Sequence, residues 1–134
     1  MFRNLFKTFI KFHGFTICCG IGILILCIIK IPQQWDIPQF QFPNFDKVVH
    51  FTMYFTLSIA FILESEGIRL KPGKNNRKPY IAAFLLSAIF GGLIEIMQGA
   101  LTTYRSCDVF DWLTDMGGAL IGCIVIGLLR RAFR

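Results

Sequence analysis

Four apolar runs dominate the chain, and the stretches between and flanking them hold most of its charge. Residues 15–31 (FTICCGIGILILCIIKI), 46–63 (DKVVHFTMYFTLSIAFIL), 80–101 (YIAAFLLSAIFGGLIEIMQGAL) and 111–129 (DWLTDMGGALIGCIVIGLL) are the four runs. Each approaches the ~20 residues that carry a helix across a bilayer core of about 30 Å. Helices satisfy their own backbone polar groups, so the pattern predicts an all-α integral membrane bundle of four transmembrane helices. Ahead of the first run, Phe2, Leu5, Phe6, Phe9 and Phe12 alternate with Arg3, Lys7 and Lys11 at roughly helical spacing. That pattern predicts a basic amphipathic segment, residues 1–14, lying along the membrane surface as a flanking anchor. Residues 15–134 then form a single membrane domain. The first run is read as a retained span, because PQQWDIP after it offers no small-residue cleavage pattern.

The connecting stretches are also patterned. Pro32, Pro38 and Pro43 exclude a regular helix over 32–45. The interleaved Trp35, Phe40, Phe42 and Phe45 suit an extended loop at headgroup level, where anchoring explains the rings better than carbohydrate binding does. Residues 64–79 (ESEGIRLKPGKNNRKP) are broken by Gly and Pro and crowd Arg69, Lys71, Lys74, Arg77 and Lys78 together, so they form a solvated or headgroup-bound loop. Gly118 and Gly122 lie four apart and predict a stripe that admits a neighbouring helix; Gly91 and Gly92 allow a close approach or a bend.

Composition supports the membrane class: 54% of the 134 residues are hydrophobic and 15 are Phe, enough chain for one domain. The net charge of +6 would suit a nucleic-acid partner in a soluble protein. Here the basic clusters flank apolar runs, so topology accounts for them and nucleic acid is not an expected partner. The N-terminal segment, the 64–79 loop and the tail (Arg130, Arg131, Arg134) are basic, whereas the two opposite loops hold only Lys30, Lys47 and Arg105. The positive-inside rule therefore puts both termini and the 64–79 loop in the cytoplasm. The five cysteines form no disulfide framework or zinc spacing: Cys18, Cys19, Cys27 and Cys123 lie within apolar runs and Cys107 in a polar loop.

This topology brings distant polar residues to one layer. Asp46, Lys47, His50 and Tyr54 begin the second run, and the four-residue steps from Asp46 to His50 to Tyr54 put those three on one inward face. Glu95 and Gln98 share a face at the end of the third run, while Arg105, Asp108, Asp111 and Asp115 lead into the fourth. All fall at the extracytoplasmic end. An ionised side chain at the bilayer centre costs about 2.5–3.5 kcal/mol by insertion scales, so such residues imply a function or tight mutual pairing. Five carboxylates in partial burial can support acid–base chemistry, with Glu95, His50 and Asp111 as candidate acids or bases. They can equally hold a divalent cation through oxygens, and Arg105 can grip a phosphate or carboxylate bidentately. The structural alternative is that these groups only pair with one another and fix helix register. No Ser-His-Asp, Cys-His or phosphate-loop pattern is present in the sequence.

At these residues the chain resembles the VanZ-like family, small bacterial membrane proteins named after an accessory glycopeptide-resistance protein. The likeness covers about residues 46–122 and rests on Asp46-Lys47-x-x-His50-x-x-x-Tyr54, Glu95-x-x-Gln98 and Arg105-x-x-Asp108-x-x-Asp111, followed by Asp115, Gly118 and Gly122. The family pattern usually has Asn where this chain has Asp115, which adds a potential charge. The resemblance implies a multi-pass protein of the bacterial cytoplasmic membrane, associated with the cell envelope, and for some members reduced teicoplanin susceptibility. It supplies no reaction. The expected function is a polar extracytoplasmic site that engages a membrane lipid or lipid-linked envelope precursor. The alternatives are a membrane enzyme acting on a lipid headgroup and a non-catalytic scaffold subunit.

Overall fold

Helix boundaries fall where the apolar runs meet a cap, a proline or a charged edge. The structure, a computed structural model, describes residues 13–29, 44–66, 77–103 and 106–133. Four helices lie among them: α1 (Gly14–Ile28), α2 (Phe45–Glu66), α3 (Lys78–Leu101) and α4 (Val109–Ala132). Asn44 adopts the left-handed region (φ 68°) immediately before α2. Asp46 lies inside the first turn of that helix, where a negative charge suits the helix dipole. Pro79 occupies the first turn of α3, the one place in a helix where its missing N–H costs nothing. Asp108 caps α4 by accepting the Phe110 N–H at 2.8 Å.

The all-helical class agrees with the pattern of apolar runs, and each of the last three helices extends one to three residues beyond its predicted run at one or both ends. Those three are long and apolar enough to cross a membrane. At 15 residues, α1 is shorter than the ~17–25 a span requires, so the expected count of four spans is not confirmed. The amphipathic segment expected over residues 1–14 lies almost wholly outside the described residues, as do the aromatic loop and most of the basic one.

The α2–α4 contact is the most extensive in the bundle, and glycines set how close it is. A Cβ on Gly118 would run into the Phe51 carbonyl, and one on Gly122 into the Ser58 hydroxyl and the Phe55 carbonyl. Gly118 and Gly122 therefore face a neighbouring helix, as their spacing predicts. On the α3 side, Trp112 fills the space left by Gly91 and Gly92 and donates its indole N–H to the Ala88 carbonyl at 2.8 Å. Tyr54, Leu57, Ile94, Ala119, Ile23 and Cys27 form one core cluster, and Ile62, Ala83 and Ile126 a second. Outward stripes such as Ile81, Leu85, Ile89, Leu93 and Ile96 on α3 are exposed, as lipid-facing positions would be.

Polar contacts fasten one end of the bundle. Glu64 accepts the backbone N–H groups of Phe15 (2.8 Å) and Thr16 (3.0 Å) and the Thr16 hydroxyl (2.6 Å), so a carboxylate on α2 caps the start of α1. At the same end Arg130 pairs with Glu66 and donates to the Tyr80 hydroxyl at 3.2 Å. These contacts leave the opposite end of the bundle for the remaining buried charge.

The seam geometry makes a prediction. Gly118→Leu and Gly122→Leu should each destabilise the detergent-solubilised protein by about 1–3 kcal/mol, the usual cost of overpacking. Gly117→Ala, whose added methyl meets nothing within 4 Å, should leave the melting temperature unchanged or raise it. Unchanged melting in both Leu variants would contradict the seam.

Candidate functional site

The N-terminal ends of α2 and α4 and the C-terminal end of α3 meet at one end of the bundle. Helical spacing brings the polar residues there together. On α2, His50 and Tyr54 are one turn apart and buried, as their spacing predicts, whereas Asp46, expected on the same inward face, stands exposed because it lies in the first turn at the helix end. On α4, Asp108 caps the helix, and Asp111 and Asp115 follow on the face that meets α2 and α3. On α3, Glu95 and Gln98 both point inward, with 2% and 1% exposure.

Two layers result. In the outer layer, the Lys47 ammonium lies 2.6 Å from Asp111 Oδ1 and 3.3 Å from Asp108 Oδ2. Asp108 also donates its backbone N–H to Glu95 Oε2 at 3.0 Å, so this one residue touches α2 and α3 while capping α4. In the inner layer, His50 Nδ1 lies 2.9 Å from Asp115 Oδ1, and both side chains are almost fully buried. Among the described residues, three buried atoms in this layer lack a hydrogen-bond partner: Glu95 Oε1, Asp115 Oδ2 and the Tyr54 hydroxyl. Buried polar groups are nearly always paired, so each of these orphans is unusual; Arg130 Nε and Nη2 at the opposite end also lack a hydrogen bond.

Among the described residues, two groupings could hold a metal ion, each with ligand atoms within 4.8 Å of one another: His50, Glu95 and Asp115, and Asp46, His50 and Asp111. His50 belongs to both. In the second set Asp111 is already held by Lys47, whereas the first retains free carboxylate oxygens.

The predicted residues divide accordingly. Asp46, Lys47, His50, Tyr54, Glu95, Asp108, Asp111 and Asp115 gather at this end. Gln98 turns away and donates to the Cys27 carbonyl at 2.8 Å, tying α3 to α1. Arg105 lies outside the described residues; among those described, Lys47 is the cation that meets Asp108 and Asp111. Sequence reasoning singled out neither Trp112 nor the role of Gly91. A Cβ on Gly91 would come within 2.8 Å of Asp115 Oδ2 and 3.4 Å of Trp112, so this glycine makes room for the carboxylate. The Gly91-Gly92 pair was the one available signal, and it gave no indication of which side chain it accommodates.

Asp108 yields a pH prediction. The Phe110 N–H first, and the Lys47 ammonium after it, hold its carboxyl below the usual carboxylate range. A folded-state value below the unfolded one gives stability that is complete above the unfolded value and lost as pH falls through the folded one. Asp108→Asn keeps a capping oxygen and loses the charge, so its melting temperature should lie below wild type at neutral pH and converge with it in acid, once the pH has fallen through the lowered folded-state value. Asp108→Ala should melt lowest of the three at neutral pH. Melting curves in detergent across this range check both statements, and a gap between wild type and Asn variant that persists in acid would contradict them.

Comparison with known proteins agrees with the residue pattern. The uncharacterized protein C11E3.10 of Schizosaccharomyces pombe is 28% identical over 110 residues, which make up 82% of this chain and 61% of that protein. The chain thus spans about three-fifths of the length of the curated relative it matches. No solved structure matches. The sequence model described as VanZ/LLP1 matches residues 3–130, almost the whole chain. With that coverage, the chain belongs to the VanZ/LLP1 family.

Proposed function

We propose that this chain is a membrane protein whose polar end opens on the extracytoplasmic side and engages the headgroup of a membrane lipid or lipid-linked envelope precursor. The observation that carries the reading is the set of buried, unpartnered atoms on Glu95, Asp115 and Tyr54. A network serving only helix register would be expected to satisfy its members, since an unpaired buried polar group costs about 1–3 kcal/mol. The location also fits. Helix ends rich in charge lie near the headgroups, and Lys47, Asp108 and Asp111 form a polar rim above the inner residues. An apolar crevice lined by Thr16, Gly20, Leu57, Phe61, Leu86 and Phe90 runs between α1, α2 and α3 and suits an acyl chain.

Both termini would then be cytoplasmic, in keeping with the basic clusters. A family relative in a yeast favours a glycerophospholipid over a wall precursor as the ligand class. In a bacterial host, engaging a lipid that carries a glycopeptide target would lower susceptibility to the drug.

One observation favours a second reading, catalysis on the same headgroup. His50 is oriented by Asp115 across a buried 2.9 Å contact, the arrangement that prepares an imidazole for proton transfer, with Glu95 as the facing carboxyl. Lipid profiling of a deletion strain complemented with wild type or with Glu95→Gln tests both readings. Deletion should alter the level of a lipid species, and wild type but not Glu95→Gln should restore it. Accumulation of one species with depletion of its product would assign catalysis. A lipid profile unchanged by deletion would contradict lipid engagement.

A further inference from the structure

We propose that His50, Glu95 and Asp115 form a binding site for one divalent first-row transition-metal ion. The donor set comes from three helices: an imidazole nitrogen from α2 and a carboxylate oxygen each from α3 and α4. The three donor atoms lie within 4.8 Å of one another. Ligands about 2.0–2.2 Å from a shared ion stand roughly 3–4 Å apart, so modest side-chain rotation closes the set. All three residues are buried, with 1%, 2% and 0% exposure.

Independent observations distinguish this group from an ordinary acidic cluster. Glu95 Oε1 and Asp115 Oδ2 are buried and carry no hydrogen bond, so each residue has an oxygen to give. Glu95 Oε2 is held by the Asp108 N–H, the kind of outer support that orients a metal ligand. The Tyr54 hydroxyl, one turn along α2 from His50, is also buried and unpartnered. Gly91 leaves the volume beside Asp115 Oδ2 open. Charge points the same way. Among the described residues, the inner layer contains two carboxylates against one imidazole, while Lys47 is engaged by Asp108 and Asp111. Buried anions in excess call for a cation. One nitrogen with two oxygens suits Mn²⁺, Fe²⁺ or Zn²⁺ better than Mg²⁺ or Ca²⁺, which favour all-oxygen shells. Three protein ligands leave positions open for a further oxygen donor.

This inference does not depend on the lipid reading, and its test uses no lipid. The full chain, purified in detergent and stripped with chelator, is titrated with Mn²⁺, which avoids the thiols that would capture Zn²⁺. Binding is read from the electron paramagnetic resonance signal of the free ion and by metal analysis after dialysis. One Mn²⁺ per chain is expected, with saturable binding, a rise in melting temperature and little competition from equimolar Mg²⁺. Glu95→Gln and Asp115→Asn should each weaken binding by tenfold or more, and Asp46→Asn should leave it within about twofold. Wild-type protein that shows no saturable uptake overturns the site without recourse to any variant. Uptake that survives Glu95→Gln, or that is lost in Asp46→Asn instead, overturns the assignment to this ligand set.

Discussion

His50 and Asp115 meet at 2.9 Å because α4 can lie directly against α2. Gly118, one turn beyond Asp115, sits where any side chain would strike the carbonyl of Phe51, the neighbour of His50. Gly122 repeats the arrangement a turn further along, against Phe55 and Ser58. The rest of the polar end depends on this approach. It sets the depth at which Asp115 is buried, and it brings Asp111 and Asp108 under Lys47. It also aligns the start of α4 so that the Asp108 N–H reaches Glu95 on α3. A seam of small residues, ordinarily a packing device, here decides where charge is placed.

The two ends of the bundle use charge differently. At the Glu64 end, a carboxylate caps α1, and Arg130 pairs with Glu66, so opposite charges or N–H donors meet each anion. At the other end the outer layer follows the same rule through Lys47, and the inner layer does not. Glu95 and Asp115 keep oxygens without partners in a region nearly free of solvent exposure. Holding carboxylates in that state is costly in any protein interior and more so within a bilayer.

Much of this was legible in the sequence, for identifiable reasons. The apolar runs gave three long helices within a few residues, because lipid leaves the backbone few alternatives. The steps from Asp108 to Asp111 to Asp115, and from His50 to Tyr54, placed side chains correctly because helical periodicity alone determines a face. The glycine stripe was legible for the same reason. Pairings were not. Nothing in the spacing says that Lys47 meets Asp108 and Asp111, or that Gln98 leaves the cluster for the Cys27 carbonyl; these depend on helix rotation and depth. Helix ends also hid information: Glu64 and Glu66 read as the start of a loop and instead close α2 and anchor its neighbours. The first apolar run yields only a 15-residue helix among the described residues, since hydropathy marks composition and not where a helix stops.

Helix packing couples His50 on α2 to Asp115 on α4 across the seam. A double-mutant cycle measures it most directly, using the stabilities of wild type, His50→Ala, Asp115→Asn and the double variant in one detergent. Residues in direct polar contact should show an interaction energy within the roughly 0.5–3 kcal/mol typical of neighbours, with the double variant less destabilised than the sum of the singles. Additivity within about 0.3 kcal/mol would mean that the two side chains do not meet, and would contradict the account of the polar end.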